Sequence, residues 1–93
     1  MTAPLFFLGR VVATPAALAL LASAGENMAE LLTRHQSGDW GEVPPEDASE
    51  NNFSVKHGFR ILSCYAVGRA GERVWIITEA DRSSTCILLP EEY

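Results

Sequence analysis

Cysteine and histidine are scarce in this chain, which has two of each among its 93 residues. Two cysteines are too few for a disulfide scaffold, and no standard zinc spacing is present among the soft ligands His35, His57, Cys64 and Cys86. Both cysteines fall in strand-like apolar runs, where a thiol usually behaves as a small buried hydrophobe. We therefore expect free thiols and neither a metal nor a cofactor, with a cross-strand disulfide left open as the alternative.

Catalytic signatures are also missing. There is no glycine-rich phosphate loop, and Ser63 and Ser83 lack the surroundings of a nucleophile elbow. The turn at residues 79–84 carries three charged side chains, Glu79, Asp81 and Arg82. Acid–base catalysis by its carboxylates would need a cleft that brings them near His35 or His57. We expect Asp81 to shape the turn with Arg82 as its ion-pair partner, and we predict that the protein is not an enzyme.

Long hydrophobic runs are absent as well, and none would span a membrane. Residues 16–24 resemble a signal-peptide core that ends in a small-x-small site, but Phe6, Phe7 and Leu8 occupy the place of a basic n-region. Thr14 and Pro15 are instead typical of a helix N-cap followed by proline at the first helical position. We expect a helix in this segment and a cytoplasmic protein.

Positively charged residues are fewer than negatively charged ones. Seven Lys and Arg residues stand against twelve Asp and Glu residues, which gives a formal net charge of −5 and a pI near 4.8. The long-range field of such a protein repels bare nucleic acid and anionic membranes. We expect neither as a direct partner, and a basic partner would be attracted.

Local signals predict the element order β-α-α-α-β-β-β within one domain, residues 1–93. The first strand is predicted at Leu5 to Ala13, with Gly9 marking a bulge or a close contact. Capping residues place three helices, from Pro15 to before Gly25, from the Asn27 cap through His35, and from Pro45 to before Gly58. Runs rich in β-formers place three strands, Phe59 to Val67, Arg73 to Thr78, and Thr85 to Leu89.

Segregated strands and helices indicate the α+β class. We predict an antiparallel sheet, formed by the C-terminal three-stranded meander with the first strand as a candidate fourth member, and about three helices packed on one face. Alternation along the last hairpin is expected to bury Trp75, Ile77, Ile87 and Leu89 against the first helix. Trp75→Ala would then cost about 3–5 kcal/mol, as truncation of a core aromatic does.

Several short segments resemble, in order and with similar spacing, segments of a family of small bacterial proteins: residues 9–15, Arg34 and His35 with 38–41, 58–63 with Tyr65, and 75–83 with 88–93. The chain therefore resembles the family that carries only the label "plasmid-related protein" and accompanies plasmids and other mobile elements. The resemblance implies a cytoplasmic accessory protein of mobile DNA. Inhibitors of host defence and small regulators are common in that setting.

Negative charge is concentrated in the middle of the chain, where the acidic residues are Glu26, Glu30, Asp39, Glu42, Glu46, Asp47 and Glu50. Arg34 alone opposes them, so the segment has a net charge of about −6. Carboxylates arrayed on a helix and its preceding loop can imitate a phosphate backbone and occupy a basic groove. The alternative is an ordinary solvated surface, on which Glu46 and Asp47 only complement a helix dipole.

Trp40 lies in a turn between two glycines, next to Asp39. It is expected either to be a partly exposed interface anchor or to pack over the edge of the second helix. We hypothesise a non-enzymatic inhibitor encoded by mobile DNA, of the anti-CRISPR or anti-restriction class, that binds a basic nuclease or CRISPR effector subunit through a DNA-mimicking surface. The alternative is a small regulatory or assembly module that self-associates through its sheet edge or recruits a plasmid protein.

Overall fold

The α+β class predicted from the sequence is confirmed by the computed structural model, which describes residues 3–93. Four strands form one sheet, and three α-helices precede the last three strands. The elements are β1 (Arg10–Ala13), α1 (Pro15–Ala24), α2 (Met28–Gln36), α3 (Pro45–His57), β2 (Ile61–Val67), β3 (Glu72–Thr78), β4 (Ser84–Leu88) and a terminal 3-10 turn (Pro90–Glu92).

The sheet is mixed, whereas the sequence predicted an antiparallel one. Its strand order is β1-β4-β3-β2, and the meander β2-β3-β4 is antiparallel as expected. β1 joins the sheet but runs parallel to β4, with Val11 level with Thr85. Parallel neighbours cannot be joined by a tight hairpin and need a long crossover. The three helices supply that crossover, because they carry the chain from β1 at one edge to β2 at the other.

β1 is shorter than predicted because the chain bends at Gly9. Gly9 has φ +64°, and a Cβ atom there would collide with the carbonyl groups of Arg82 and Ser83. This confirms the predicted close contact. Before the bend, the Leu5 N–H donates to the Gln36 carbonyl at 2.8 Å, and Phe6 is buried. Residues 5–8 therefore pack beside α2 instead of extending the strand.

The helices begin where predicted, α1 and α3 end at the predicted glycines, and α2 runs one residue past His35 to Gln36. The Thr14 hydroxyl accepts from the Ala17 N–H at 3.1 Å, and the Asn27 side chain accepts from the Ala29 N–H at 2.9 Å. Gly25 and Gly58 follow α1 and α3 in the left-handed conformation. The signal-peptide-like segment is α1, and no helix within residues 3–93 is long and apolar enough to cross a membrane.

The predicted facing is wrong for β3 and confirmed for β4, where Ile87 and Leu89 pack with α1 as expected. Strand register puts Ile76 level with Ile87 and Val74 level with Tyr65, and all four pack in one cluster with Ala17 and Leu21 of α1. Trp75 and Ile77 therefore point to the opposite face, away from α1. Trp75 is only partly buried there, and its ring contacts Tyr93 with centroids 5.4 Å apart. Residues 74–77 are apolar on both faces, so their alternation does not tell which face the helices cover.

Candidate functional site

Two of the seven carboxylates predicted to form the acidic surface are paired with arginines. Arg34 Nε lies 2.6 Å from Asp39 Oδ2, and Arg73 Nη2 lies 2.9 Å from Glu42 Oε1. The Arg34 guanidinium lowers the pKa of Asp39, chiefly through this hydrogen bond. Such exposed pairs contribute little stability, but they cancel charge locally. Asp39 and Glu42 therefore add little to any anionic surface.

Trp40 is buried, which rules out the predicted role of an exposed anchor. Its side chain is 5% exposed, and Nε1 donates to Asn52 Oδ1 at 3.1 Å. The backbone explains this orientation, because the Cys64 N–H donates to the Trp40 carbonyl at 3.0 Å and the Glu42 N–H donates to the Cys64 carbonyl at 2.7 Å. Residues 40–42 thus lie along β2 and turn the indole inward against Phe6 and Ile61.

The other five predicted carboxylates are exposed, and within residues 3–93 none of them forms an ion pair. Glu26 and Glu30 lie where α2 begins. Glu46, Asp47 and Glu50 lie in the first half of α3. The predicted acidic segment is therefore divided between two helix starts, and the three carboxylates on α3 form its densest part.

The same side of α3 carries aromatic residues that the sequence analysis missed. Glu46, Glu50, Phe53 and His57 are spaced by four, three and four residues, which places them in one stripe along a helix. Phe53 is 50% exposed and Phe59, just beyond the helix, is 54% exposed. The Phe53 ring stacks on the rings of His57 and Phe59, with centroid distances of 4.2 and 5.8 Å.

We call this surface the α3 outer face and define it by six residues, Glu46, Asp47, Glu50, Phe53, His57 and Phe59. It is acidic at one end and aromatic at the other. A sequence pattern would assign Phe53 to the core, since phenylalanine is usually buried. The residues that α3 actually buries are polar, Asn51 and Ser54. Only the tertiary contacts of these two reveal which side of the helix faces solvent.

α3 is fixed to the sheet at two points. The Asn51 side chain donates to the Leu62 carbonyl at 2.8 Å and accepts from the Leu62 N–H at 3.2 Å. Near the end of the helix, Arg82 donates to the carbonyls of Ser54 and Phe59 at 2.8 and 2.7 Å. A cation at this position suits the negative end of the helix dipole. The α3 outer face is therefore held on a rigid element.

Arg82 does not pair with Asp81 as predicted, because its guanidinium serves these carbonyls instead. Its Nη1 also reaches the carbonyls of Glu79 and Ala80, at 3.1 and 3.2 Å. Asp81 does shape the turn as predicted, since its carboxylate accepts from the Ser83 N–H at 3.0 Å. The Ser83 hydroxyl, together with this backbone hydrogen bond, lowers the pKa of Asp81.

A Ser–His pair exists in the structure, but it lies in the core. Ser63 Oγ is 2.5 Å from His35 Nδ1, and His35 Nε2 is 2.9 Å from Thr78 Oγ1. Thr78 Oγ1 lies 2.8 Å from Thr85 Oγ1, which donates to the Leu8 carbonyl at 2.8 Å. Ser63, His35, Thr78 and Thr85 are all 0% exposed. No substrate can reach this serine in the folded chain.

The direction of these hydrogen bonds shows that Nε2 of His35 carries a proton. The Thr85 hydroxyl donates its one proton to the Leu8 carbonyl, so it accepts from the Thr78 hydroxyl. Because the Thr78 proton is donated to Thr85, Thr78 accepts from His35 Nε2–H. In the neutral imidazole, the form that burial favours, Nδ1 accepts from the Ser63 hydroxyl. Burial, aided by the nearby Arg82, lowers the pKa of His35 from 6.5 to about 4. These four side chains form a buried polar cluster whose members are hydrogen-bonded to one another.

The groups that an enzymatic mechanism was expected to combine have separate partners. Glu79 pairs with Arg60 at 3.2 Å, Asp81 binds its own turn, His35 lies in the buried chain, and His57 stacks on Phe53. An open cleft of about 750 Å³ lies between α1 and the ends of the strands. Among the described residues that line it, one is a serine or threonine, Ser23, whose hydroxyl donates to the Leu20 carbonyl at 3.0 Å, and none is a histidine or cysteine.

The soft ligands are also dispersed. Residues 3–93 contain no group of three or more His, Cys, Asp or Glu side chains that could hold a metal ion. Cys64 and Cys86 are free thiols, and burial raises the pKa of both. β3 lies between their strands, so their Cα atoms are at least about 10 Å apart. That exceeds the reach of a disulfide, about 7 Å, so the disulfide alternative does not fit this fold.

Comparison of the chain with family models, with curated proteins and with solved structures found no match in any of the three. The similarity to plasmid-related proteins therefore stays a prediction.

Proposed function

We propose that the protein is a non-enzymatic binding protein of the cytoplasm, in which the α3 outer face docks on a basic surface of a nucleic-acid-handling defence protein. A nuclease or a CRISPR effector subunit is the partner that this chemistry suits, and inhibition follows if the docked helix occupies the groove for DNA. The observation that carries the proposal is the combination of three carboxylates, which form no ion pair within residues 3–93, and a stacked aromatic cluster on one side of an anchored helix.

The charge density of α3 supports the mimicry. Glu46 to Glu50 spans about 6 Å of helix axis. The same length of duplex DNA carries about three to four phosphates. The three carboxylates Glu46, Asp47 and Glu50 therefore approach the linear charge density that a basic nucleic-acid groove has evolved to bind. Attraction of this kind raises the association rate and decreases with salt.

The aromatic end of the α3 outer face adds apolar contact area, which phosphate mimicry alone does not provide. Exposed Phe53 and Phe59 present apolar area that water covers poorly, and aromatic side chains are enriched at binding hot spots. Their mutual stacking limits side-chain motion, so less entropy is lost on docking. We infer that the carboxylates steer the partner and that the aromatic cluster slows its dissociation.

The first experiment is a DNA-cleavage assay. The chain is immobilised, proteins are captured from the lysate of its native host, and each captured nuclease is purified and assayed with and without the chain. Inhibition that is lost in Glu46→Lys/Asp47→Lys/Glu50→Lys supports the proposal. The matched control is Glu26→Lys/Glu30→Lys, which reverses charge at the start of α2 and should inhibit like the wild type.

Binding kinetics then separate the two ends of the face. Charge reversal should lower the association rate by about tenfold or more, and Phe53→Ala should raise the dissociation rate by about tenfold. Affinity should decrease steeply toward 0.5 M salt, where the Debye length is only about 4 Å. Unchanged affinity at that salt concentration, or equal loss in the α2 control, would remove the proposal.

A further inference from the structure

The two edges of the sheet differ in what covers them. β2 forms one edge, and two of its outward-facing residues are occupied, Leu62 by the Asn51 amide and Cys64 by the backbone of residues 40–42. β1 forms the other edge. Uncovered edge strands are templates for pairing with another chain, and proteins usually protect them. Because the β2 edge is covered, the uncovered β1 edge is a candidate site for pairing with another chain.

Parallel pairing with β4 determines which backbone N–H and C=O groups of β1 point away from the sheet. The Arg10 N–H donates to the Ser83 carbonyl at 2.9 Å, and the Thr14 N–H donates to the Ile87 carbonyl at 3.0 Å. Alternate residues therefore point their backbone groups at β4, and the residues between them, Val11 and Ala13, point theirs away. Within residues 3–93, no backbone or side-chain hydrogen bond occupies the outward groups of these two.

The side chains along this edge are apolar and exposed. Val11 is 38% exposed and Val12 is 41% exposed, and Leu18 on the neighbouring helix α1 is 47% exposed. Arg10, at the start of the strand, forms no ion pair with another residue of the described chain. The edge thus combines open backbone groups, apolar side chains and one unpaired cation.

We propose that β1 pairs with β1 of a second copy of this chain, antiparallel about a two-fold axis at Val12, so that two sheets become one. This register sets Val11 opposite Ala13 of the other copy. Each of the two symmetry-related pairs then exchanges two backbone hydrogen bonds and satisfies the outward groups of β1. The two Val12 side chains meet on the axis.

Charge complementarity selects the second copy as the occupant. The same register sets Arg10 opposite Thr14 of the other copy, whose hydroxyl donates to Glu92 Oε1 at 2.7 Å. Glu92 is fixed there because it also accepts from the Leu89 N–H at 2.9 Å. A cation at one end of β1 and an anion at the other complement each other only when the strand meets itself in antiparallel orientation. Two Arg10–Glu92 ion pairs then flank the axis.

This inference does not depend on the proposed function. α3 packs against β2, which lies at the opposite edge of the sheet, so pairing through β1 leaves both α3 outer faces exposed. A dimer would present two of these faces, which strengthens binding to any partner with two sites. The strand is short, so the interface is small and we expect a dissociation constant on the order of 10 μM.

Sedimentation equilibrium from about 1 to 500 μM, roughly bracketing that constant, tests the proposal. We expect a concentration-dependent rise from the 10.1 kDa chain mass toward twice that value. Arg10→Glu should weaken association about tenfold, and the matched control Arg69→Glu, in the exposed turn between β2 and β3, should leave it unchanged. Val11→Pro, which removes an outward N–H without breaking the β4 ladder, should abolish it.

Hydrogen exchange in the wild type provides a readout that needs no variant. The amides of Val11 and Ala13 should gain protection as concentration rises, while those of Leu62 and Cys64 are protected at every concentration. A monomer at 500 μM would overturn the proposal and assign the edge to a different partner. A dimer that persists in both Arg10→Glu and Val11→Pro, or that leaves Val11 and Ala13 unprotected, would equally overturn it by placing the interface elsewhere.

Discussion

The side-chain amide of Asn51 makes both of its hydrogen bonds with the backbone of one residue, Leu62. Nδ2 donates to the carbonyl at 2.8 Å and Oδ1 accepts from the N–H at 3.2 Å, which reproduces the exchange between paired strands. A helix side chain thus substitutes for a fifth strand. The contact both anchors α3 and protects the edge of β2.

Asn51→Leu should destabilise the protein by about 2–3 kcal/mol, because it leaves the Leu62 N–H and carbonyl without their partners at a part-buried site. Asn51→Asp should also destabilise it, since a carboxylate cannot donate to the carbonyl. Urea unfolding measures both changes. The control is Ser49→Ala on the exposed side of α3, which should stay within about 0.5 kcal/mol of the wild type. An Asn51→Leu protein as stable as this control would show that the amide is dispensable.

Local signals predicted most of the fold. Thr14, Asn27, Gly25 and Gly58 mark helix ends because capping depends on a few neighbouring residues, and all four act where the sequence placed them. The partner of β1 depends instead on where three helices deliver the chain. No local pattern encodes that path, so the parallel pairing with β4 was missed.

Only part of the candidate site was predicted, because contacts between residues distant in sequence decide the rest. Carboxylates on α3 were found because a charged side chain is nearly always exposed. The two Trp40 alternatives, anchor or packing residue, could be separated only by the pairing of residues 40–42 with β2. Gly41 permits that approach, since a Cβ atom there would collide with the Cys64 carbonyl. Phe53 was missed because its exposure follows from buried Asn51 and Ser54, whose partners are distant in sequence.

The facing of β3 can be tested with double-mutant cycles. Trp75→Ala and Tyr93→Ala should couple by about 0.5–1.5 kcal/mol, the range for an aromatic pair in edge contact. Trp75→Ala and Leu21→Ala should be additive, because the sheet separates the two side chains. Tyr93→Phe keeps the ring and should keep the coupling, although it removes the hydrogen bond from Arg60 to the hydroxyl. Larger coupling of Trp75 to Leu21 than to Tyr93 would restore the facing predicted from the sequence.

The buried His35 should make stability depend on pH. In the unfolded chain the imidazole has its ordinary pKa of 6.5, and in the folded chain the pKa is about 4 because burial disfavours the charged form. Between these values the unfolded state binds more protons, so stability decreases as the pH falls from 6.5 toward 4 and is fully present above 6.5. The loss between pH 7 and pH 5 from this one group is about 2 kcal/mol.

Urea unfolding at pH 7 and pH 5 measures this loss. His57→Gln should retain it, because His35 is still present, whereas His35→Gln should remove this contribution even though the variant is less stable at pH 7. NMR of the wild type gives a second measurement should His35→Gln fail to fold. The His35 ring nitrogens should report the neutral Nε2–H tautomer down to about pH 4.5. A His35 imidazole that titrates near pH 6.5 in the folded protein would contradict the lowered pKa and the neutral Nδ1 that accepts from Ser63.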